Sequence, residues 1–79
     1  MTLEEIVEAW PEETFLKADG FDDAIIGVDS QTMRLIYSRS QMVDILVNEG
    51  MEEDEAIEYL EFNTYGAYMG EQTPIYASV

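Results

Sequence analysis

The chain has 79 residues, of which 18 are Asp or Glu and only 3 are Lys or Arg, so its formal charge is −15. It contains no Cys and no His, which excludes a disulfide framework, thiolate or imidazole metal sites and a Ser-His-Asp triad. Three cations cannot form a basic patch that neutralises phosphates, so direct nucleic-acid binding is not expected. The apolar fraction of 47% predicts one small folded domain, residues 1–79, rather than a disordered acidic tail.

The sequence shows no targeting or membrane-spanning pattern. Its first residues are acidic, where a signal peptide would be basic and then apolar. Its apolar runs are far shorter than the roughly 20 residues that span a bilayer, and an acidic surface is repelled by anionic lipid. We therefore expect no membrane association and a cytoplasmic location.

A helix is predicted over residues 3–9. Thr2 and Glu5 match a capping box, in which the hydroxyl and the carboxylate each accept a hydrogen bond from the other residue's backbone amide. Pro11 ends the helix, because the residue before a proline avoids the helical region. The predicted apolar stripe consists of Leu3, Ile6, Val7 and Trp10.

Residues 12–23 are predicted to be irregular, and a β-hairpin follows them. Residues 24–28 and 33–37 are rich in strand-forming side chains, and the four polar residues between them form a loop of suitable length. The first strand is apolar on both faces, so it is expected to be the more buried of the two.

Two helices and a strand complete the predicted fold. Ser38 and Gln41 match a second capping box, before a helix over residues 39–49 that Gly50 ends. A third helix begins near residue 52 and reaches at least residue 63, and residues 73–79 form a last strand. The order predicts an α+β fold, with a sheet of about three strands packed against two or three helices.

The third helix and the segment after it carry the candidate interaction surface. Carboxylates fill the first turn of this helix and continue along its outward side, and tyrosines follow. Tyrosine is enriched at interfaces because its ring is apolar and its hydroxyl forms hydrogen bonds. Tyr59 and Phe62 are instead expected to complete the core. The predicted surface consists of Glu52, Glu53, Asp54, Glu58, Glu61, Tyr65 and Tyr68.

Other chemistry receives less support from the sequence. Asp19, Asp22 and Asp23 surround Gly20, but their spacing does not match a calcium-binding loop, and a turn explains them. A carboxylate-dependent enzyme would need a pocket that buries at least two carboxylates. We therefore predict no catalytic residues, no metal and no cofactor. The two arginines, Arg34 and Arg39, are expected to pair with neighbouring carboxylates such as Asp44 or Glu49.

Residues 55–75 follow the pattern E-A-x-E-Y-x-E-F-N-x-x-G-A-Y-x-G-E-x-T-P-I, and residues 22–28 (DDAIIGV) and 35–37 (LIY) accompany it. Over residues 20–76 the chain resembles a group of small acidic proteins encoded by tailed bacteriophages. The resemblance implies a phage gene product that works in a bacterial cytoplasm. It assigns no functional residue.

The acidic charge, the tyrosines and the resemblance together predict a non-enzymatic protein that binds a host or phage protein with a basic surface. Inhibition of that protein is one effect that such binding could have. One alternative is an acidic mimic of DNA that acts on host defence or transcription proteins. Another is a minor component of the virion. A homodimer through the edge of the last strand also stays open.

Overall fold

The computed structural model describes residues 2–79 and confirms the predicted α+β fold and order of elements. A three-stranded sheet packs against helices around one core. The elements are α1 (Leu3–Ala9), a short 3-10 turn (Asp22–Ala24), β1 (Ile25–Asp29), β2 (Arg34–Ser38), α2 (Arg39–Asn48), α3 (Glu53–Leu60), a π-helical turn (Glu61–Tyr65) and β3 (Ile75–Ala77).

The capping box predicted for α1 is present in full. Thr2 N donates to Glu5 Oε1 at 3.0 Å, and Glu5 N donates to Thr2 Oγ1 at 3.2 Å. The bonds from the backbone and the hydroxyl of Thr2 favour the carboxylate and lower the pKa of Glu5. Of the predicted stripe, Ile6 is fully buried, but Val7 is exposed, because α1 packs on β1 along one narrow side.

The sheet has the strand order β1-β2-β3, and its central strand is the more buried one. β1 and β2 are antiparallel, with Val28 opposite Leu35, whereas β2 and β3 are parallel, with Tyr37 opposite Tyr76. The expectation that the first strand is more buried is wrong. β1 is an edge strand with an irregularity after Ile25, whereas β2 has a neighbour on each side.

The helices begin and end close to the predicted residues. Ser38 Oγ accepts a hydrogen bond from Gln41 N at 3.2 Å at the start of α2, which is one half of the predicted capping box. Gly50 adopts φ +111° after α2, a conformation that a glycine takes without strain. Glu52 N donates to Glu55 Oε1 at 3.3 Å at the start of α3. After Leu60 the helical path continues as the π-helical turn.

The core lies between the sheet and the inner sides of α2 and α3. Ala56 and Leu60, four residues apart on α3, are fully buried, so Tyr59 and Phe62 lie on other sides of the helix. The expectation that these two rings complete the core is therefore wrong, and Phe62 is 79% exposed. The buried apolar residues are Ile6, Phe21, Ala24, Ile25, Leu35, Tyr37, Met42, Leu46, Ala56 and Leu60.

Candidate functional site

A groove of about 420 Å³ runs between α2 and α3, and we call it the α2–α3 groove. The two helices are antiparallel, since a short loop joins them and Arg39 at the start of α2 lies against Tyr65 beyond the end of α3. Aliphatic side chains line the groove from both helices, and carboxylates lie among them. The aliphatic residues are Val43, Val47 and Ile57, and the carboxylates are Asp44, Glu53 and Glu61.

One end of the groove carries an arginine that two contacts hold in place. The guanidinium carbon of Arg39 lies 4.3 Å from the ring centroid of Tyr65, within the range of a cation–π interaction. Arg39 Nε also donates to the Tyr76 carbonyl oxygen at 2.9 Å. Arg39 was predicted to pair with a carboxylate. In the structure an aromatic face and a backbone carbonyl contact it instead.

Three tyrosine rings connect this end of the groove to the core, and we call them the tyrosine series. The centroids of Tyr65 and Tyr76 are 5.2 Å apart, and those of Tyr76 and Tyr37 are 5.7 Å apart, both in tilted geometry. Burial raises the pKa of Tyr65, although the nearby charge of Arg39 acts in the opposite direction. The rings therefore remain neutral at physiological pH.

The inner end of the tyrosine series is fixed to the irregular segment. The hydroxyl of Tyr37 accepts a hydrogen bond from the backbone amide of Ala18 at 2.9 Å. Burial raises the pKa of Tyr37, because its ionised form would lose hydration. This bond connects the segment of residues 12–21 to the central strand. The ring contacts of the tyrosine series connect that strand in turn to the groove.

The structure divides the predicted interaction surface between different sides of α3. Glu53, Glu61 and Tyr65 line the α2–α3 groove. Glu58 lies on a neighbouring side of the helix, in a smaller hollow of about 280 Å³. We call this side the outer flank of α3, and it consists of Glu55, Glu58, Tyr59 and Phe62. The other three predicted residues, Glu52, Asp54 and Tyr68, are exposed and line neither concavity.

The sequence reasoning missed the α2 wall of the groove. The sequence feature that could have revealed this wall is the apolar stripe of α2, which is wider than the core requires. Met42 and Leu46 are buried in the core, whereas Val43 and Val47 line the groove. It also assigned Arg39 the wrong partner. Arg39 was expected to pair with a carboxylate, but it contacts a ring and a carbonyl instead.

Arg34 departs from the predicted pairing in the same way. Its Nε donates to the Thr73 carbonyl oxygen, and so ties the hairpin to the segment before β3. Neither arginine forms an ion pair within the described residues, 2–79, where one pair is found, between Lys17 Nζ and Asp22 Oδ1 at 3.5 Å. The acidic charge therefore faces solvent almost uncompensated.

The carboxylates are unevenly distributed along the chain: residues 4–29 and 44–61 contain 17 of the 18, residues 30–43 contain none and residues 62–79 contain only Glu71. Within residues 2–79 every Asp and Glu side chain is exposed except the half-buried Asp29, whose pKa is lowered chiefly by a bond from the Gln31 amide. The same part of the chain contains no group of three acidic side chains placed to hold a metal ion. The charge can therefore act as a field and as a set of surface contacts.

No protein-family model, curated protein or solved structure matches this chain. None of the helices between residues 2 and 79 combines the length and the apolar character needed to cross a bilayer. The inference about function therefore depends on the geometry and charge of the α2–α3 groove.

Proposed function

We propose that this protein is a non-enzymatic binding protein that recognises a partner protein with a basic surface through the α2–α3 groove. The observation that carries the proposal is the pairing of exposed aliphatic side chains with exposed carboxylates on two ordered helices. The aliphatic groups supply area that a partner can bury, and the carboxylates supply attraction and specificity.

The state of the groove carboxylates supports binding rather than catalysis. Asp44, Glu53 and Glu61 are all exposed, so solvent screens their charges. Carboxyl groups that exchange protons with a substrate are usually buried or lie beside a close charged partner. An exposed carboxylate is better suited to meet Lys or Arg of another macromolecule.

The resemblance to small acidic phage proteins supplies the biological setting of the proposal. The partner is a host or phage protein in the bacterial cytoplasm, and occupation of its basic surface would inhibit it wherever that surface has its own ligand. The charge of −15 accelerates the encounter with such a surface, and this effect weakens as salt rises.

The test compares affinity capture from a bacterial lysate by two forms of the protein. One is the wild type, and the other is the triple variant Asp44→Asn, Glu53→Gln, Glu61→Gln. We expect a basic protein that the wild type retains at physiological salt and the variant does not, and that rebinds when purified. Retention of the same proteins by both forms would contradict recognition through the groove.

An acidic mimic of DNA is the second candidate, and the many exposed carboxylates outside the groove favour it. It predicts that duplex DNA competes with this protein for the captured partner. It also predicts that carboxylates outside the groove matter: the variant Glu4→Gln, Glu8→Gln, Asp23→Asn should weaken binding as much as the groove variant does. If duplex DNA competes but only the groove variant weakens binding, recognition through the groove is favoured over DNA mimicry.

A further inference from the structure

We infer that the α2–α3 groove binds an amphipathic α-helix of the partner, with an aliphatic stripe flanked by Lys or Arg, and that the C-terminal end of this helix lies at Arg39. The inference rests on the proposed function and specifies the element that the groove recognises. It is carried by four properties of the groove: its length, its helical walls, its charge and the placement of its one cation.

The length of the groove matches a short helical face. Arg39 and Val47 mark its two ends on α2, and residues eight apart on a helix are about 12 Å apart along the axis. That distance corresponds to about two turns, which present aliphatic side chains at positions i, i+3, i+4 and i+7. Val43, Val47 and Ile57 form the complementary apolar surface.

The walls of the groove favour a helix over an extended segment. Both walls are α-helices, whose backbone groups are bonded within each helix except in the terminal turns. A segment bound in extended form would turn backbone amides and carbonyls toward a groove that offers them no row of backbone partners along its length. A helix satisfies these groups internally and packs by side chains, ridges into grooves.

The charge of the groove specifies a basic helix and disfavours a second copy of this chain. Asp44, Glu53 and Glu61 border the aliphatic side chains, so Lys or Arg beside the stripe of the partner helix would meet a carboxylate. The helices of this protein are themselves acidic, and two copies would each bring a charge of −15. Like charges across an interface oppose that assembly.

The ends of the groove differ in charge and so give the bound helix a direction. At one end Arg39, held by the Tyr65 ring and the Tyr76 carbonyl, offsets the charge of Glu61, whereas at the other end, where Glu53 lies, the described residues that line the groove include no cation. The C-terminus of a helix carries partial negative charge and its N-terminus partial positive charge. The orientation with the C-terminus at Arg39 and the N-terminus at Glu53 is therefore the more stable one.

The probe for the test is a synthetic Leu/Lys peptide of about four helical turns, long enough to form a helix, with Leu at i, i+3, i+4 and i+7. A peptide of the same composition in scrambled order is its control. Fluorescence anisotropy at low and physiological salt would measure the affinity of each. We expect the patterned peptide to bind the wild type at least tenfold more tightly than the scrambled one.

Matched variants locate the binding site. Ile57 in the groove and Ile26 on β1 are 40% and 37% exposed, and Val47 in the groove and Val7 on α1 are 40% and 48% exposed. Ile57→Asn and Val47→Asn should each weaken binding of the patterned peptide several-fold, whereas Ile26→Asn and Val7→Asn should not. Circular dichroism spectra would show that each variant keeps its fold.

The outcomes separate this inference from the proposed function. If both peptides bind equally and both lose affinity in the groove variants, recognition through the groove stands and the helical ligand is wrong. If the four Asn variants bind the patterned peptide like the wild type, the groove is not the binding site and both proposals fail. Binding that weakens equally in all four variants would also overturn both.

A nitroxide label on the peptide tests the direction of the bound helix. Placed at the C-terminus of the patterned peptide, the label should broaden the amide signals of Arg39 and Tyr65 in two-dimensional NMR spectra. Placed at the N-terminus, it should broaden those of Val47 and Glu53. The reverse pattern, or equal broadening at both ends, would overturn the predicted orientation.

Discussion

The two flanks of α3 are similar in composition and different in surroundings. The groove flank consists of Glu53, Ile57 and Glu61, and the outer flank consists of Glu55, Glu58, Tyr59 and Phe62. Each combines carboxylates with exposed apolar side chains. On the groove flank, however, α2 forms a second wall, whereas the hollow of the outer flank is lined only by residues between Met51 and Asn63.

This difference shows that charge and exposed apolar area do not by themselves define a binding site. On the groove flank, two packed helices fix the backbone positions from which the aliphatic side chains and the carboxylates project, so binding requires less ordering of the backbone. On the outer flank, Phe62 projects from a single helix with 79% of its surface exposed. Substitutions on the two flanks should therefore differ in their effects on stability and binding.

The largest effect should come from the side of α3 that supports both flanks. Leu60 is fully buried, so Leu60→Ala should lower the free energy of unfolding by about 2–5 kcal/mol through lost burial and a residual cavity. Urea unfolding followed by circular dichroism would measure the loss. A change below about 1 kcal/mol would mean that α3 is not held by the core packing described above.

The next largest effect should come from the tyrosine series, whose Tyr65 lines the groove, whereas Phe62 lies on the outer flank. Tyr37→Phe removes the acceptor of the partly buried Ala18 amide, and should cost about 1–3 kcal/mol of unfolding free energy. Because Tyr37 contacts Tyr76, and Tyr76 contacts Tyr65, NMR shifts should change at the Arg39 end of the groove. Equal changes at Phe62 would contradict this connection.

Alkaline pH should act on the same side of the molecule. Burial raises the folded-state pKa values of Tyr37, Tyr65 and Tyr76 above their ordinary value of 10.0. The unfolded chain releases these protons at lower pH than the folded protein does. The contribution of the three neutral tyrosines to the free energy of unfolding is therefore fully present below about pH 10 and is lost as the pH rises through the folded-state pKa values. Thermal unfolding across this range, with Tyr37→Phe as the control, should show a smaller loss in the variant.

A smaller effect is expected where Arg39 meets Tyr65. The contact lies at the surface, so a double-mutant cycle of Arg39→Gln and Tyr65→Leu should give a coupling of about 0.5–1 kcal/mol. Arg39→Gln should also reduce the orientation preference of the bound peptide, because it removes the cation at that end of the groove. A coupling near zero would show that the ring does not hold the guanidinium.

The smallest effect is expected on the outer flank. Phe62→Ser should change the unfolding free energy by no more than about 0.5 kcal/mol, because the ring is mostly in water. Affinity for the patterned Leu/Lys peptide should also be unchanged. A loss of affinity comparable to that of Ile57→Asn would place the binding site on the outer flank instead.

Much of the fold could be predicted from local signals. Thr2 and Glu5 form the predicted capping box, Gly50 adopts the predicted left-handed conformation, and the hairpin strands lie within one residue of their predicted bounds. Each of these features depends on residues close together in the chain. The candidate site was harder to predict from the sequence, because its walls come from two helices and its Arg39 end also depends on β3.

The sequence by itself determined the charge, the α+β order of elements and the lines of residues that share a side of each helix. The four-residue spacing already places Ala56 and Leu60 on one line, whereas Glu58 and Glu61, predicted to share one outward line, line different concavities. Only the tertiary structure decided which line would face another helix, that β2 would be the central strand, and that Arg39 would meet a ring. Those outcomes depend on long-range packing, in which residues distant in sequence compete for the same buried area.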